Sequence, residues 1–152
     1  MCDLVFGQAL TPFEGVHARI QEMSSEFPGE ILVTCNKRDA QLHDLYRVRI
    51  DSGEMELVQE NPEFSSFVTD SSFDVRFAAR MTPDGGSEIL RPGIDGAWEL
   101  FCSISMEDML TTRPVGMDSA GQILYMIDSR GRDTAALVAV DPKSGTKTVL
   151  AE

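Results

Sequence analysis

Two segments of this chain align with each other without a gap. Residues 31–60 match residues 123–152 at eight of thirty positions, whereas unrelated segments of ordinary composition would match at roughly two of thirty. The identical pairs are Ile31/Ile123, Leu32/Leu124, Arg38/Arg130, Leu45/Leu137, Val48/Val140, Ser52/Ser144, Gly53/Gly145 and Glu60/Glu152. Duplication explains this agreement better than chance, so the chain is built from repeats.

A third copy lies between these two segments. They are 92 residues apart, which leaves room for one more unit. The run VRFAAR at 75–80 begins 44 residues after Ile31, and EILR at 88–91 begins 44 residues after DLYR at 44–47. A turn DGA at 95–97 then occupies the place of DSGE at 51–54. A period of about 45 residues is within the range of β-propeller blades.

Each copy has the pattern of several short strands joined by turns. Apolar runs rich in β-branched residues alternate with polar stretches and with Ser-Gly or Asp-Gly turns, which is typical of half-buried antiparallel strands. We predict strands at 31–36, 43–50 and 54–60 in the first copy and at 122–128, 135–141 and 146–151 in the last. Shorter candidates at 16–23, 65–69 and 112–117 precede the three copies, which gives four strands per unit.

Four antiparallel strands per repeat predict an all-β fold, a partial β-propeller of about three four-stranded antiparallel blades plus one extra N-terminal strand. In a single propeller fragment, 1–152, we expect an orphan outer strand at 1–10 and blades at 11–60, 61–105 and 106–152. An evenly spaced β-sandwich is the alternative. Closed propellers have four to eight blades, so we expect the chain to be truncated from something longer.

Charge and hydropathy exclude several partners. The chain has 25 acidic and 13 basic residues and a formal net charge of −12, which repels nucleic acids and anionic membranes. No apolar run approaches the ~20 residues of a membrane span, and the first ten residues do not have the pattern of an export signal. A cytoplasmic location is expected, unless a signal has been lost upstream.

The sequence offers little that could carry catalysis. Cys2, Cys35 and Cys102 have no CxxC spacing and are expected to be free structural thiols. His17 and His43 lack supporting spacing, and HExxH, GxSxG, GxxxxGK[ST] and strand-associated GxGxxG motifs are absent. We therefore expect no catalytic residue, no metal and no cofactor.

The loop at 128–134 is the most unusual polar stretch. Asp128, Arg130, Arg132 and Asp133 surround one glycine between two predicted strands. Its arginine forks could bind a ligand carboxylate, or they could brace adjacent blades through Arg-Asp pairs. Bracing is favoured, because Arg38 recurs at the repeat position of Arg130 and a residue repeated between blades usually serves the blade.

Five motifs carry a resemblance to a known family. They are LTPFEGV at 10–16, HDLYRV at 43–48, FVTD at 67–70, TPDGGSE at 82–88 and IDSRGRDTAALVAVD at 127–141. Together they resemble the propeller domain of prolyl oligopeptidase family serine peptidases, in particular bacterial dipeptidyl or acylaminoacyl peptidase-like members. The resemblance spans nearly the whole chain from residue 10 onward.

This resemblance implies a gating role. In that family a β-propeller caps an α/β-hydrolase domain that carries the Ser-Asp-His triad, and it restricts access of large substrates. Nothing in the chain matches the triad, or the acidic pair with which some relatives hold a substrate amino terminus. The expected function is therefore a non-catalytic propeller portion whose partner is a separate hydrolase domain. The alternative is a self-standing interaction module that closes a six-bladed ring by homodimerisation.

Overall fold

All regular structure in residues 13–152, the range that this computed structural model describes, is β-strand. The strands form three four-stranded antiparallel sheets, each made of four consecutive strands paired in chain order. The predicted all-β class and its three four-stranded units are therefore confirmed. The strand predicted at 1–10, like Cys2, falls outside the described residues.

The sheets are numbered in chain order. Sheet 1 contains β1 (Ala18–Met23), β2 (Glu30–Cys35), β3 (Asp44–Arg49) and β4 (Met55–Gln59). Sheet 2 contains β5 (Ser66–Thr69), β6 (Val75–Met81), β7 (Ser87–Pro92) and β8 (Trp98–Ile104). Sheet 3 contains β9 (Arg113–Met117), β10 (Leu124–Asp128), β11 (Ala136–Val140) and β12 (Lys147–Ala151). The nine strands whose limits were predicted begin and end within two residues of the expected positions.

The three sheets share one pattern of irregularity. The central pairs β2–β3, β6–β7 and β10–β11 run without a register shift, while each of the six flanking pairs contains one. Bulges of this kind increase the local right-handed twist of a strand pair. Each sheet is therefore a regular two-stranded centre with a more strongly twisted strand on either side.

The chain divides into two compact units, and the first ends at Pro62. Within it, alternate residues Ile31, Val33 and Cys35 of β2 are buried together with Val48 of β3. Val16, Tyr46 and Met55 pack against this cluster. The alternation follows from the two-residue period of a strand, which sends successive side chains to opposite faces.

The second unit, Glu63–Glu152, contains sheets 2 and 3 packed face to face. Phe77, Ile89 and Ile104 of sheet 2 share one core with the sheet 3 residues Leu124, Met126, Ala136, Val138 and Val140. The strands of the two sheets whose backbones lie nearest are β5 and β9, the first strand of each. Sheets that meet through their first strands are stacked like neighbouring propeller blades around an axis.

Cys35 is buried and Cys102 half-buried, and both are free thiols. The segment 106–111 forms turns closed by hydrogen bonds from the Asp108 amide to Ser105 O (3.1 Å) and from the Thr112 amide to Asp108 O (2.8 Å). Within residues 13–152, no helix has the length and apolarity needed to cross a membrane.

Candidate interblade site

The loop at 128–134 joins the two central strands of sheet 3. Asp128 is the last residue of β10, where it pairs with Ala136 of β11, and 4% of it is exposed. The loop closes with a hydrogen bond from the Arg132 amide to the main-chain oxygen of Ser129 (3.0 Å). The end of β10 thus places the Asp128 carboxylate in the interior, and the tight loop positions Arg130 beside it.

Arg130 binds Asp128 through two parallel hydrogen bonds. Nε donates to Oδ1 at 2.8 Å and Nη2 to Oδ2 at 2.9 Å, and Lys147 Nζ donates to Oδ2 at 2.6 Å. Burial raises the pKa of Asp128, but hydrogen bonds from Arg130 and Lys147 outweigh it and hold that pKa far below its ordinary value. Asp128 is therefore a buried charge that depends on its two cationic partners.

The third nitrogen of Arg130 reaches the neighbouring sheet. Nη1 donates to the main-chain oxygen of Ser103, on β8 of sheet 2, at 3.1 Å. The hydrogen bond to Asp128 raises the pKa of Arg130 above its ordinary value, although burial opposes this change. One guanidinium, fixed in place by a carboxylate of sheet 3, thus carries a hydrogen bond to sheet 2.

The other two predicted loop residues lie apart from this pair. Arg132 Nη1 forms an ion pair with Glu152 Oε1, beyond the end of β12. Asp133 is exposed on the loop. The structure therefore brings together Asp128 and Arg130, while Arg132 and Asp133 face outward.

Arg38, the repeat counterpart of Arg130, forms the corresponding arrangement in sheet 1. Nε and Nη2 donate to the two oxygens of Asp44, each at 2.9 Å. Nη2 also donates to the main-chain oxygen of Asn61 at 3.0 Å, and the Asn61 amide donates to Asp44 Oδ1 at 2.7 Å. Burial raises the pKa of the fully buried Asp44, but the hydrogen bonds from Arg38 and Asn61 hold it below its ordinary value.

The two arginines use carboxylates on different strands. Asp44 begins β3 and pairs with Cys35, whereas Asp128 ends β10 and pairs with Ala136. Eight residues separate the first pair and seven the second, so the strand pairing is displaced by one position relative to the gapless alignment. A one-residue displacement exchanges the faces of one strand relative to its partner, and the two equivalent arginines bind carboxylates on opposite strands of the central pair.

The glutamates of the identical pair Glu60/Glu152 also contact arginines at different repeat positions. Arg38 Nη1 lies 3.5 Å from Glu60 in sheet 1, while in sheet 3 Arg132 takes Glu152. Arg38 alone therefore contacts both acidic residues in sheet 1, whereas Arg130 and Arg132 each contact one of them in sheet 3.

Sequence reasoning missed a third pair, in sheet 2. Arg80 of β6 donates through Nε to Glu88 of β7 at 2.8 Å and through Nη1 to Glu63 at 2.8 Å. Glu88 lies 44 residues after Asp44, the spacing that identified the third copy. The signal was therefore present, but the arginine occupies a different position in this copy.

A second set of hydrogen bonds joins sheets 2 and 3 at their opposite end. Arg76 Nη2 donates to Gly121 O at 3.0 Å, Ser71 Oγ to Ser119 O at 3.0 Å, and Arg91 Nη1 to Pro142 O at 2.8 Å. All three acceptors are main-chain oxygens in turns of sheet 3. The two sheets are thus linked at both ends as well as through their apolar core.

The contacts of Arg130 distinguish between the two interpretations of the loop, ligand binding and bracing of adjacent blades. Three of the nitrogens of Arg130 are already bound to protein oxygens, which leaves little of its five-donor fork for a ligand carboxylate. Bracing is the role that fits these contacts, and it stays a prediction that substitutions can test.

Trp98 at the start of β8 contacts its own sheet. Its ring lies edge-on to that of Phe64, with centroids 4.7 Å apart, and Phe64 in turn contacts Phe67 at 5.8 Å. These aromatic contacts fix the entry into β5 against the start of β8.

No family model matches the chain, but two proteins and four chains of solved structures are similar to it. It is 46% identical over 153 residues to dipeptidyl aminopeptidase BIII of Pseudoxanthomonas mexicana, an alignment that covers 99% of this chain and 22% of the relative. It is 30% identical over 116 residues to dipeptidyl peptidase family member 6 of Caenorhabditis elegans, covering 71% of this chain and 16% of that protein.

One of these solved structures is TolB from Acinetobacter baumannii, with a TM-score of 0.52, 12% identity, and coverage of 81% of this chain and 29% of TolB. At this identity the likeness shows the propeller fold alone and supports it over the sandwich alternative. The chain spans about a fifth of the length of the peptidases it matches. The predicted resemblance is therefore confirmed: the chain is homologous to dipeptidyl aminopeptidases and corresponds to a propeller-type portion of such a peptidase.

Proposed function

We propose that this chain is a non-catalytic propeller portion that restricts the access of large substrates to a dipeptidyl peptidase active site carried by a separate hydrolase domain. The observation that carries the proposal is the 46% identity to a dipeptidyl aminopeptidase across 99% of the chain. A portion so similar over its whole length is expected to have the same physical role as its counterpart.

The contacts between sheets 2 and 3 support a gating role. A gate excludes large molecules only if its blades do not separate under thermal motion. Sheets 2 and 3 share a core of fully buried side chains and are hydrogen-bonded at both ends. Separating them would expose that core to water, at a cost of about 1.5–3 kcal/mol for each large apolar side chain.

The first test is an assay of the purified chain on dipeptidyl chromogenic substrates. No turnover is expected, because the proposal assigns the catalytic groups to a separate hydrolase domain. Turnover that is abolished by a serine-directed inhibitor, and that persists when the protein is repurified by a second method, would show that this chain is itself a peptidase.

The gating role is tested in a chimera. The matched segment of the Pseudoxanthomonas mexicana relative is replaced by this chain, and hydrolysis of a small dipeptidyl substrate is compared with cleavage of longer peptides. The chimera is expected to keep a preference for the small substrate, and Arg130→Ala is expected to weaken that preference by loosening sheet 3 from sheet 2. Arg132→Ala, in the same loop, is the matched control. A folded chimera that cleaves long peptides as readily as the small substrate would refute gating, and an unchanged size preference in the Arg130→Ala chimera would refute the contribution of Arg130 to it.

Homodimerisation is the second candidate, and one feature of sheet 3 favours it. Tyr125 pairs with Ala139 and Ile127 with Leu137, and these four half-buried residues lie on the face away from sheet 2. An apolar sheet face of this kind is suited to packing against another blade. Light scattering at micromolar concentration tests it: a dimer supports ring closure by pairing, and a folded monomer contradicts it.

A further inference from the structure

An open groove of about 660 Å³ lies between sheets 2 and 3, at the end of the sheets opposite to the Arg130 loop. The β7–β8 turn forms one wall, through Pro92 and Ile94, and the β11–β12 turn forms the other, through Pro142 and Lys143. Two of its lining residues, Arg91 and Pro142, form one of the hydrogen bonds between the sheets, whereas the Arg130 pair lies outside the groove.

The groove is lined mainly by positive charge, whereas the chain as a whole is negative. Arg76, Arg91 and Lys143 line it together with one acidic residue, Glu99, although acidic residues outnumber basic ones by 25 to 13 in the whole sequence. A cleft lined mainly by one sign of charge concentrates the field and attracts groups of the opposite sign. Arg76 Nη1 also lies 3.7 Å from Asp70 Oδ2, so the excess positive charge of the groove comes from Arg91 and Lys143.

Arg91 is held in place without being fully neutralised. Its Nη1 donates to the main-chain oxygen of Pro142 at 2.8 Å, an acceptor that carries no net charge. Its Nε lies 3.5 Å from Glu99, whose side chain is 53% exposed, and an ion pair as exposed as this contributes little. The Arg91 guanidinium is therefore pre-positioned, and it retains positive charge for an incoming carboxylate.

The groove also has an apolar rim. Ile94 has 109% relative exposure, in a turn closed by a hydrogen bond from the Gly93 amide to Ala97 O (2.7 Å). Pro92 and Pro142 add apolar surface on the two sides. An isoleucine held in water by an ordered turn, beside two prolines and three cations, suits a ligand that is both apolar and acidic.

We propose that this groove docks an extended acidic segment of a partner protein. Carboxylates of the segment engage Arg91 and Lys143, and an apolar side chain between them covers Ile94. The cationic walls favour an acidic occupant, and the exposed isoleucine favours a peptide over a purely ionic ligand. This binding role is independent of gating, so either can fail without the other.

The test measures binding of a fluorescent peptide of alternating glutamate and leucine to the whole chain. Lys143→Glu and Ile94→Ser alter exposed residues of the groove, so the fold should be preserved, which circular dichroism verifies. Lys143→Glu is expected to weaken binding about tenfold, since it replaces an attraction with a repulsion. Ile94→Ser is expected to weaken it about fivefold by removing apolar contact.

Matched controls separate the groove from general effects. Arg113→Glu makes the same change of charge at the other end of sheet 3, and Leu110→Ser removes another highly exposed apolar side chain outside the groove. Both are expected to leave binding unchanged, and Lys143→Glu is not expected to weaken the binding of a lysine-leucine peptide, which the acidic surface outside the groove attracts. Equal weakening by Arg113→Glu and Lys143→Glu, or tighter binding of a single-stranded oligonucleotide than of the acidic peptide, would overturn the proposal.

Discussion

Arg130 donates a hydrogen bond from Nη1 to the main-chain oxygen of Ser103, so that a side chain of sheet 3 binds the backbone of sheet 2 across 3.1 Å. The same guanidinium holds both oxygens of Asp128, whose side chain is 5% exposed. The bond between sheets is therefore coupled to a buried ion pair within one sheet. If Arg130 loses its contact with Asp128, its guanidinium is held less firmly against Ser103. Loss of the bond to Ser103 likewise leaves it held less firmly against Asp128.

Replacing Arg130 is expected to destabilise the second unit. Arg130→Ala leaves Asp128 buried with Lys147 as its remaining cation and removes the bond to Ser103, so the free energy of unfolding should fall by about 3 kcal/mol. Urea unfolding monitored by the single tryptophan, Trp98 of sheet 2, measures it. Arg132→Ala removes a more exposed ion pair and should change the value by less than about 1 kcal/mol. Equal effects of the two substitutions would contradict the bracing role.

Asp128 should contribute to the pH dependence of stability. Its pKa is lower in the folded chain than in the unfolded chain, so its contribution is present above the unfolded value of about 3.9 and disappears as pH falls toward the folded value. Asp128→Asn removes this contribution. The variant should be less stable than the parent at pH 7, and the two should converge as the pH falls below about 4. Parallel stability curves from pH 7 to pH 2 would argue against a charged Asp128.

Gly121 should resist substitution for two reasons that a control can separate. Its φ of +63° is unfavourable for other residues, and an added Cβ would lie 2.9 Å from Asp70 Oδ2. Asp70 cannot move freely, because its other oxygen accepts hydrogen bonds from the amides of Ser72 and Asp74.

Gly145 is the matched control, since its φ is +71° and a Cβ there meets nothing within 4 Å. Gly145→Ala should lower the free energy of unfolding by about 1 kcal/mol through backbone strain alone. Gly121→Ala should lower it further, by about 1 kcal/mol more, as measured by thermal unfolding. Equal losses of unfolding free energy in the two variants would mean that Asp70 moves away from the added Cβ at no cost in stability.

The shared core of sheets 2 and 3 should depend strongly on Leu124, which is fully buried between them. Leu124→Ala should lower the free energy of unfolding by about 3 kcal/mol, because it removes buried apolar surface and leaves a cavity. Leu110→Ala, at a side chain with 85% exposure, should change it by less than about 0.5 kcal/mol. Similar values for both would indicate that sheets 2 and 3 are not packed as described.

Strand positions could be read from the sequence because they depend on local chemistry. Alternating apolar residues between glycine turns placed nine strands within two residues of their observed limits. The repeat then supplied the number of strands per sheet, since identities such as Gly53/Gly145 mark equivalent turns. Both signals concern residues near each other in the chain, where the period of the backbone dictates the pattern.

The sequence also identified Arg38 and Arg130 as equivalent, but not the carboxylates that they bind. Asp44 and Asp128 are not aligned with each other, since Asp44 begins β3 and Asp128 ends β10, and the pairing of these central strands differs by one position between the first and last sheets. Which strand presents its side chain to the arginine is settled by register, which depends on loop length and on the burial of a whole face. The Arg80–Glu88 pair was missed for a related reason, since that arginine lies on the strand itself.

The amino-acid sequence by itself determined the all-β class, the fourfold strand pattern of each repeat and the kinship with dipeptidyl peptidases, because periodicity, turn residues and repeated motifs are properties of the linear chain. Only the tertiary structure decided that Arg130 reaches Ser103 and that three cations meet beside Ile94. Those residues are separated by many positions in the sequence. The stacking of one sheet on the next brings them together, and the burial of the shared apolar core drives that stacking.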